Sequence, residues 1–217
     1  MRLSFGRGET RDRKIQEEKR LQRASDVPAF AESPKKFIFE LLKIVLIALA
    51  VIIPVRYFLF QPFYVRGASM EPSFHDNEYL IIDEITYRFA DPQRGEVVVV
   101  KNPDRTSEFF IKRIIGLPGE TIEVKNGDVV IFNSSKPLGF ILEEPYLSEE
   151  VVTRGGQRTT LGPDQYFVMG DNRSVSLDSR TFGPLNSSFI VGRAWLRVWP
   201  FEEFEHFTPP AYNLNGA

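Results

Sequence analysis

Residues 37–60 read FIFELLKIVLIALAVIIPVRYFLF, and no other stretch limits the chain's options as sharply. From Ile44 to Val55 there is neither a charged residue nor a polar face. A helix that is apolar all round needs cover, from protein or from lipid. At 1.5 Å per residue, residues 37–60 would span about 36 Å as a helix, enough to cross a hydrocarbon core of about 30 Å. Lys43 and Arg56 bracket the charge-free run and are long enough to snorkel to the interfaces, with Glu40 near the first of them. The competing reading is a buried core helix. A cleaved secretory signal fits poorly, because its basic leading region would be some 36 residues long. The segment therefore predicts a single membrane span.

The charge distribution supports that division. The formal net charge of −2 over 217 residues averages three unlike parts. Residues 1–36 hold ten Lys/Arg against six Asp/Glu, while residues 61–217 hold fifteen against twenty-two. Arg23, Lys35, Lys36 and Lys43 lie on the N-terminal side of the span, against Arg56 and Arg66 on the other. The more basic flank is retained in the cytoplasm, so the body is expected outside. Tyr57, Phe58, Phe60, Phe63 and Tyr64 would form an interfacial aromatic belt. The expected organisation is a cytoplasmic basic tail at 1–36, an anchor at 37–60, an extracytoplasmic domain at 61–205 and a frayed, Pro-containing tail at 206–217. The near-neutral total argues against whole-surface binding to nucleic acid.

Beyond residue 61 the pattern changes to short β-branched runs. Tyr79–Ile85, Glu96–Lys101, Glu108–Ile115, Thr121–Val124, Asp128–Phe132, Tyr166–Met169 and Ile190–Val198 read as strands. Asn126-Gly127 signals a type I′ hairpin, because both residues tolerate positive φ. Many strands with few helices predict a mainly β, antiparallel domain, barrel-like or sandwich-like, behind one N-terminal transmembrane helix.

With no cysteine, the chain has no thiolate nucleophile, disulfide or Cys-based zinc site. Its two histidines, His75 and His206, fall in no metal-binding spacing and read as ordinary loop and tail residues. A Ser-His-Asp triad thus has few candidates.

Three segments stand out: Gly67-Ala68-Ser69-Met70-Glu71-Pro72-Ser73, Lys112-Arg113-Ile114-Ile115-Gly116-Leu117-Pro118-Gly119-Glu120, and Gly170-Asp171-Asn172-Arg173-Ser174-Val175-Ser176-Leu177-Asp178-Ser179-Arg180. Gln61-Pro62-Phe63 and Arg94-Gly95-Glu96-Val97-Val98-Val99 precede the first two. In this order, over nearly all of 57–200 and behind a membrane span, they resemble the type I signal peptidases, membrane-bound serine proteases that remove signal peptides. The resemblance implies a mostly β fold, cleavage after small residues in an Ala-x-Ala pattern, and no metal or organic cofactor. It implies that Ser69 is the nucleophile and Lys112 the general base. Ser176 would orient the lysine amine, Asp178 and Arg180 would form a supporting pair, and Asp171 would belong to the same shell. Phe63, Val65, Met70, Phe74, Phe110 and Ile111 are the implied lining of the substrate pockets. The implied partners are the signal peptides of exported preproteins and the lipid bilayer of a bacterial plasma membrane or a thylakoid. Some members of the family carry a hydroxyl residue two positions before the nucleophile; this chain has Gly67, so that oxyanion donor is absent. Ser73 stands where the family usually has Thr, and Glu120 where it often has Asp.

Elementary chemistry is consistent with these roles. A serine hydroxyl needs an adjacent base, and lysine serves when its amine is neutral. At its usual pKa of about 10.4 lysine stays protonated, so burial must lower it. Strand alternation puts Lys112 on one face with Phe110 and Ile114, and Arg113 on the other with Ile111 and Ile115. Lys112 is therefore expected on the apolar side and Arg113 is not. The plain alternative for such a lysine is a solvated edge charge. For Gly67-Ala68-Ser69 it is an ordinary loop, for Gly170–Arg180 a polar surface loop, and for the pocket residues core packing. Small residues before Ser69 allow a tight bend, with the Ser69 N–H the first candidate oxyanion donor. An extended peptide would pair with an exposed strand edge and place alternate side chains in shallow pockets. Two other function classes remain: a different Ser/Lys hydrolase, such as a self-cleaving repressor-type protease, and an inactive membrane-tethered scaffold.

Overall fold

The computed structural model describes residue 19 and residues 34–58, 60–148, 150–155, 157–210 and 212. Most of the expected basic tail lies outside these residues. So do the end of the C-terminal tail and the side chains of residues 54–61, including Tyr57, Phe58 and Phe60 of the expected belt. The chain divides into two units, residues 1–52 and 53–217.

In the first unit the apolar run starts a 25-residue helix, α1 (Pro34–Phe58). From Phe37 to Ile53 its large apolar side chains are exposed around the whole circumference. Among the described residues no helix is long and apolar enough to cross a membrane. Lys36, Glu40 and Lys43 interrupt the apolar stretch in the first half of α1.

Among the described residues the second unit has twelve strands, which pair antiparallel. The larger sheet runs β1 (Phe60–Tyr64), β2 (Tyr79–Asp83), β11 (Ile190–Trp199), β3 (Val97–Lys101), β4 (Phe109–Gly116), β9 (Gln165–Met169), β10 (Leu185–Asn186), with β12 (Glu205–His206) on β11. The smaller sheet runs β7 (Phe140–Ile141), β6 (Asp128–Phe132), β5 (Thr121–Lys125), β8 (Thr159–Thr160). β5 and β6 meet through Asn126-Gly127, whose φ angles of 56° and 97° are those a type I′ turn needs.

The larger sheet curls. Three strands separate β1 from β4, yet Phe63 of β1 and Phe109 of β4 stack edge to face with centroids 5.5 Å apart. A flat sheet at about 4.8 Å per strand would hold them far apart. The curl explains why β3 reads Val97-Val98-Val99-Val100 without alternation. Val97 and Val99 pack with Met70, Phe74, Leu80 and Ile82, while Val98 and Val100 pack with Ile114, Tyr166 and Val168 on the opposite face. A strand buried on both faces has no polar side to show.

Two segments take up structure that the sequence did not announce. Phe60–Tyr64, part of the expected aromatic belt, forms strand β1. Pro62 argues against an inner strand, but β1 pairs with β2 on one side only, so its missing N–H costs nothing. The C-terminal tail also makes defined contacts at described residues. β12 pairs with β11, the Phe207 ring lies 4.6 Å from the Phe74 ring, and Tyr212 sits against Gly95. The two aromatic side chains anchor a segment whose prolines suggested a loose end.

Candidate active site

Ser69 lies in the loop between β1 and β2. Val65 and Glu78 close the base of that loop through Val65 N–H to Glu78 O at 2.9 Å. Met70 and Phe74, each 1% exposed, fix it into the core. Gly67 takes φ of +87°, a left-handed conformation that suits glycine, and donates its N–H to Asp76 Oδ1 at 2.8 Å. The Ser69 carbonyl accepts from the Asn172 N–H at 3.1 Å, which ties the loop to the third motif.

β4 delivers the lysine. Lys112 faces Val98 of β3 and is 2% exposed. Its Nζ donates to Ser69 Oγ at 2.9 Å and to the Ile111 carbonyl at 2.8 Å, and lies 5.4 Å from the centre of the Phe110 ring. Burial lowers the amine to about 8, while Asp178 and Asp171 pull the other way.

Both opposing carboxylates are already engaged. Arg113, next in the strand, binds Asp171 through Nε at 2.9 Å and Nη2 at 2.6 Å. It also donates to Gly95 O and to Ser73 Oγ, and its guanidinium lies 3.8 Å from the centre of the Tyr146 ring. Arg180 grips Asp178 through Nε and Nη2, each at 2.8 Å. Burial alone would raise the Asp178 carboxyl. Hydrogen bonds from Arg180 and the Gly170 N–H overcome that and hold it below its ordinary range. Desolvation therefore wins at Lys112, because each nearby anion has a guanidinium of its own.

Gly170 makes the junction of the three motifs compact. A Cβ there would collide with the Ser69 carbonyl oxygen and with Ser176 Oγ. Arg173 anchors the same loop to Glu144, Thr153 and the Gly170 carbonyl.

The structure thus brings Ser69, Lys112, Asp171, Asp178 and Arg180 together, with three departures from expectation. Arg113 is as buried as Lys112, because both faces of β4 are covered. Ser176 Oγ is near enough to Asp178 to favour its charge, but it is buried and, among the described residues, has no hydrogen-bond partner. The second acceptor for the amine is the Ile111 carbonyl instead. Of the implied pocket residues, Val65, Met70 and Phe74 are sealed in the core, leaving Phe63, Phe110 and Ile111 partly exposed. Both residues that differ from the usual motif are engaged. Ser73 accepts from Arg113, and Glu120 binds Arg94 at 2.6 Å and the Leu117 N–H. The reading of the sequence missed the Arg113–Asp171 and Arg173–Glu144 pairs. The available signal was an arginine inside an otherwise apolar strand, which burial obliges to find an anion.

The described pairings leave one backbone edge open beside Ser69. β9 joins β4 only from Arg113 onward, so Phe109–Lys112 is laddered to β3 alone. Across from it lies the outer edge of β1, brought close by the Phe63–Phe109 contact.

A family model described as signal peptidase, peptidase S26, matches residues 38–199. The chain is 37% identical over 172 residues to a protein named "Probable signal peptidase I-2" from Synechocystis sp., covering 77% of this chain and 76% of that one. It is 36% identical over 179 residues to the signal peptidase I of Bacillus licheniformis, covering 78% and 92%. It is 33% identical over 201 residues to the signal peptidase IB of Staphylococcus aureus, covering 83% of this chain and 100% of that protein.

Proposed function

The chain belongs to the signal peptidase family, peptidase S26, whose members are serine endopeptidases, and on that premise we propose that it removes signal peptides from exported preproteins through a Ser69/Lys112 dyad. The observation that carries the mechanism is the 2.9 Å contact between Lys112 Nζ and Ser69 Oγ, made by an amine that burial has lowered to about 8.

Neutral Lys112 accepts the hydroxyl proton as Ser69 Oγ attacks the scissile carbonyl carbon. The tetrahedral oxyanion is met by backbone N–H groups, Ser69's own first, since Gly67 carries no side chain. As the C–N bond breaks, the Lys112 ammonium returns the proton to the departing amine, leaving an ester on Ser69. Water then gives a proton to Lys112, attacks the ester, and releases the signal peptide with a free carboxylate. The proton passes back to Ser69. Asp171 and Asp178 pair with Arg113 and Arg180 and keep the lysine strand and the third motif in place.

The substrate lies extended in the trough between the outer edge of β1 and the open stretch Phe109–Lys112. Main-chain bonds to these edges supply affinity. Phe63, Phe110 and Ile111 form shallow apolar walls, which larger side chains would overlap.

Helix α1 is the membrane anchor in this reading, with the N-terminus cytoplasmic and the β domain outside. Its uncovered apolar circumference supports this. So does a row of exposed aromatics across one end of the sheet: Tyr64 pairs with Tyr79, Tyr79 with Trp199, and Trp199 stacks on Phe201. Amphipathic rings of this kind favour the bilayer interface.

The deciding assay supplies the detergent-solubilised protein with a preprotein carrying an Ala-x-Ala site. Wild type cleaves after the second alanine; Ser69→Ala and Lys112→Ala lose several orders of magnitude in rate. An intact preprotein with wild type, or undiminished cleavage by either variant, defeats the dyad. Protease added outside right-side-out vesicles should digest residues 61–217, and protection of that region would reverse the topology.

A further inference from the structure

We propose that His75, Glu78 and Glu203 form a divalent-cation site of the zinc class, at the end of the loop that carries Ser69. Glu78 supplies the first observation. Its side chain is 2% exposed, and Oε2 accepts from Arg197 Nε at 3.0 Å. Oε1 is buried and, among the described residues, has no hydrogen-bond partner, its nearest donor being His75 Nδ1 at 3.4 Å. A buried carboxylate oxygen that accepts no hydrogen bond is unfavourable, and its presence calls for an explanation.

Geometry supplies the second. Glu78 Oε1 points at His75 Nδ1, 3.4 Å away. Glu203, in the short 3₁₀ turn Phe201–Glu203, brings a third donor, and the three ligand atoms lie within 4.8 Å of one another. Two donors held at about 2.1 Å in a tetrahedral arrangement are about 3.4 Å apart. His75 Nδ1 and Glu78 Oε1 already have that separation. Glu203 is half exposed, so packing does not lock its side chain. The Arg197 bond to Oε2 fixes the carboxylate with Oε1 turned toward the other two donors.

Charge supplies the third. Arg197 also faces Glu203 at 3.6 Å and Glu205 at 3.2 Å. One guanidinium among three carboxylates leaves two negative charges unmatched, which a divalent cation would cancel. One imidazole with two carboxylates favours zinc over calcium or magnesium, which prefer oxygen alone. Water would complete the coordination. A bound cation would join the exit of the Ser69 loop to the turn after β11.

A direct His75–Glu78 pair with no metal between them is the rival account, and it gives Glu203 no part. The test uses the purified full-length protein, stripped with chelator and titrated with zinc chloride by calorimetry, with thermal unfolding alongside. Wild type should bind a single equivalent saturably and unfold at higher temperature with zinc, while magnesium chloride does neither. His75→Ala and Glu203→Gln, both at exposed positions, should each weaken binding by at least about tenfold and remove the thermal shift. His206→Ala should change nothing. The proposal fails if wild type shows no saturable zinc binding, if Glu203→Gln binds as wild type does, or if His206→Ala is the variant that loses zinc.

Discussion

Arg180 holds the Asp178 carboxylate by two hydrogen bonds of 2.8 Å, so the anion that would keep Lys112 protonated is matched before it can. Burial then sets the lysine at about 8. The neutral amine is the working form of a base, so kcat/KM should rise with pH and level off above about 8. Near pH 7 it should be roughly a tenth of the plateau. A pH–rate profile on a peptide substrate checks this. A profile flat from neutral to alkaline pH removes lysine as the base.

Arg180→Met leaves Asp178 buried without its cation. The unmatched charge favours the protonated lysine, so the rising limb should move to higher pH while the plateau rate falls less. Arg180→Lys, which keeps the charge but not the two-pronged grip, should move it less. An unchanged limb in Arg180→Met would mean that Asp178 has no electrical hold on the lysine.

The same lysine should lower the stability of the fold at neutral pH. Its folded value, about 8, lies below the ordinary 10.5, so the native state binds its proton less tightly than the unfolded chain does. The penalty is full below pH 8 and fades as pH rises from 8 to 10.5. The difference corresponds to about 3 kcal/mol, from which the lost contacts to Ser69 and Ile111 subtract about 1–2 kcal/mol. Lys112→Met should therefore be inactive yet more stable at pH 7, by about 1–2 kcal/mol, with the gain shrinking toward pH 10. Urea denaturation at the two pH values measures it, and a variant less stable than wild type at pH 7 contradicts it.

What the sequence made legible follows from which signals are local. The β5–β6 hairpin could be read from Asn126-Gly127, because positive φ is a property of two adjacent residues. The motifs around Ser69 and Lys112 could be picked out because each is contiguous. Partnerships across the sheet were not legible. Nothing near Arg113 announces Asp171, 58 residues away, and nothing near Arg197 announces Glu78, 119 residues away. Met70 and Phe74 illustrate the same limit. Apolar residues beside a nucleophile fit a pocket or a core equally well, and only the curl of the sheet decides for the core. Pro62 hid an edge strand because the sequence does not say which strand lies at an edge.

Gly170 offers a purely steric test of how closely the motifs must meet. No left-handed φ is involved there, so alanine adds only a methyl group. That methyl would overlap the Ser69 carbonyl oxygen and the Ser176 hydroxyl, and the first is backbone that cannot rotate away. Relief requires the two loops to separate, which typically costs about 1–3 kcal/mol. Separation also draws Ser69 away from Lys112, and a misplacement on the order of 1 Å can cost about a hundredfold in rate. Gly162→Ala is the matched control. Its added Cβ would sit 3.2 Å from Gln165 Oε1, the tip of a flexible side chain that needs to yield only a few tenths of an ångström and can still accept from the residue 162 N–H. Gly170→Ala should thus lose stability and most of its activity, while Gly162→Ala keeps both. Thermal unfolding and preprotein cleavage measured on the two variants decide the matter, and equal behaviour would show that the Ser69 loop and the third motif need not touch.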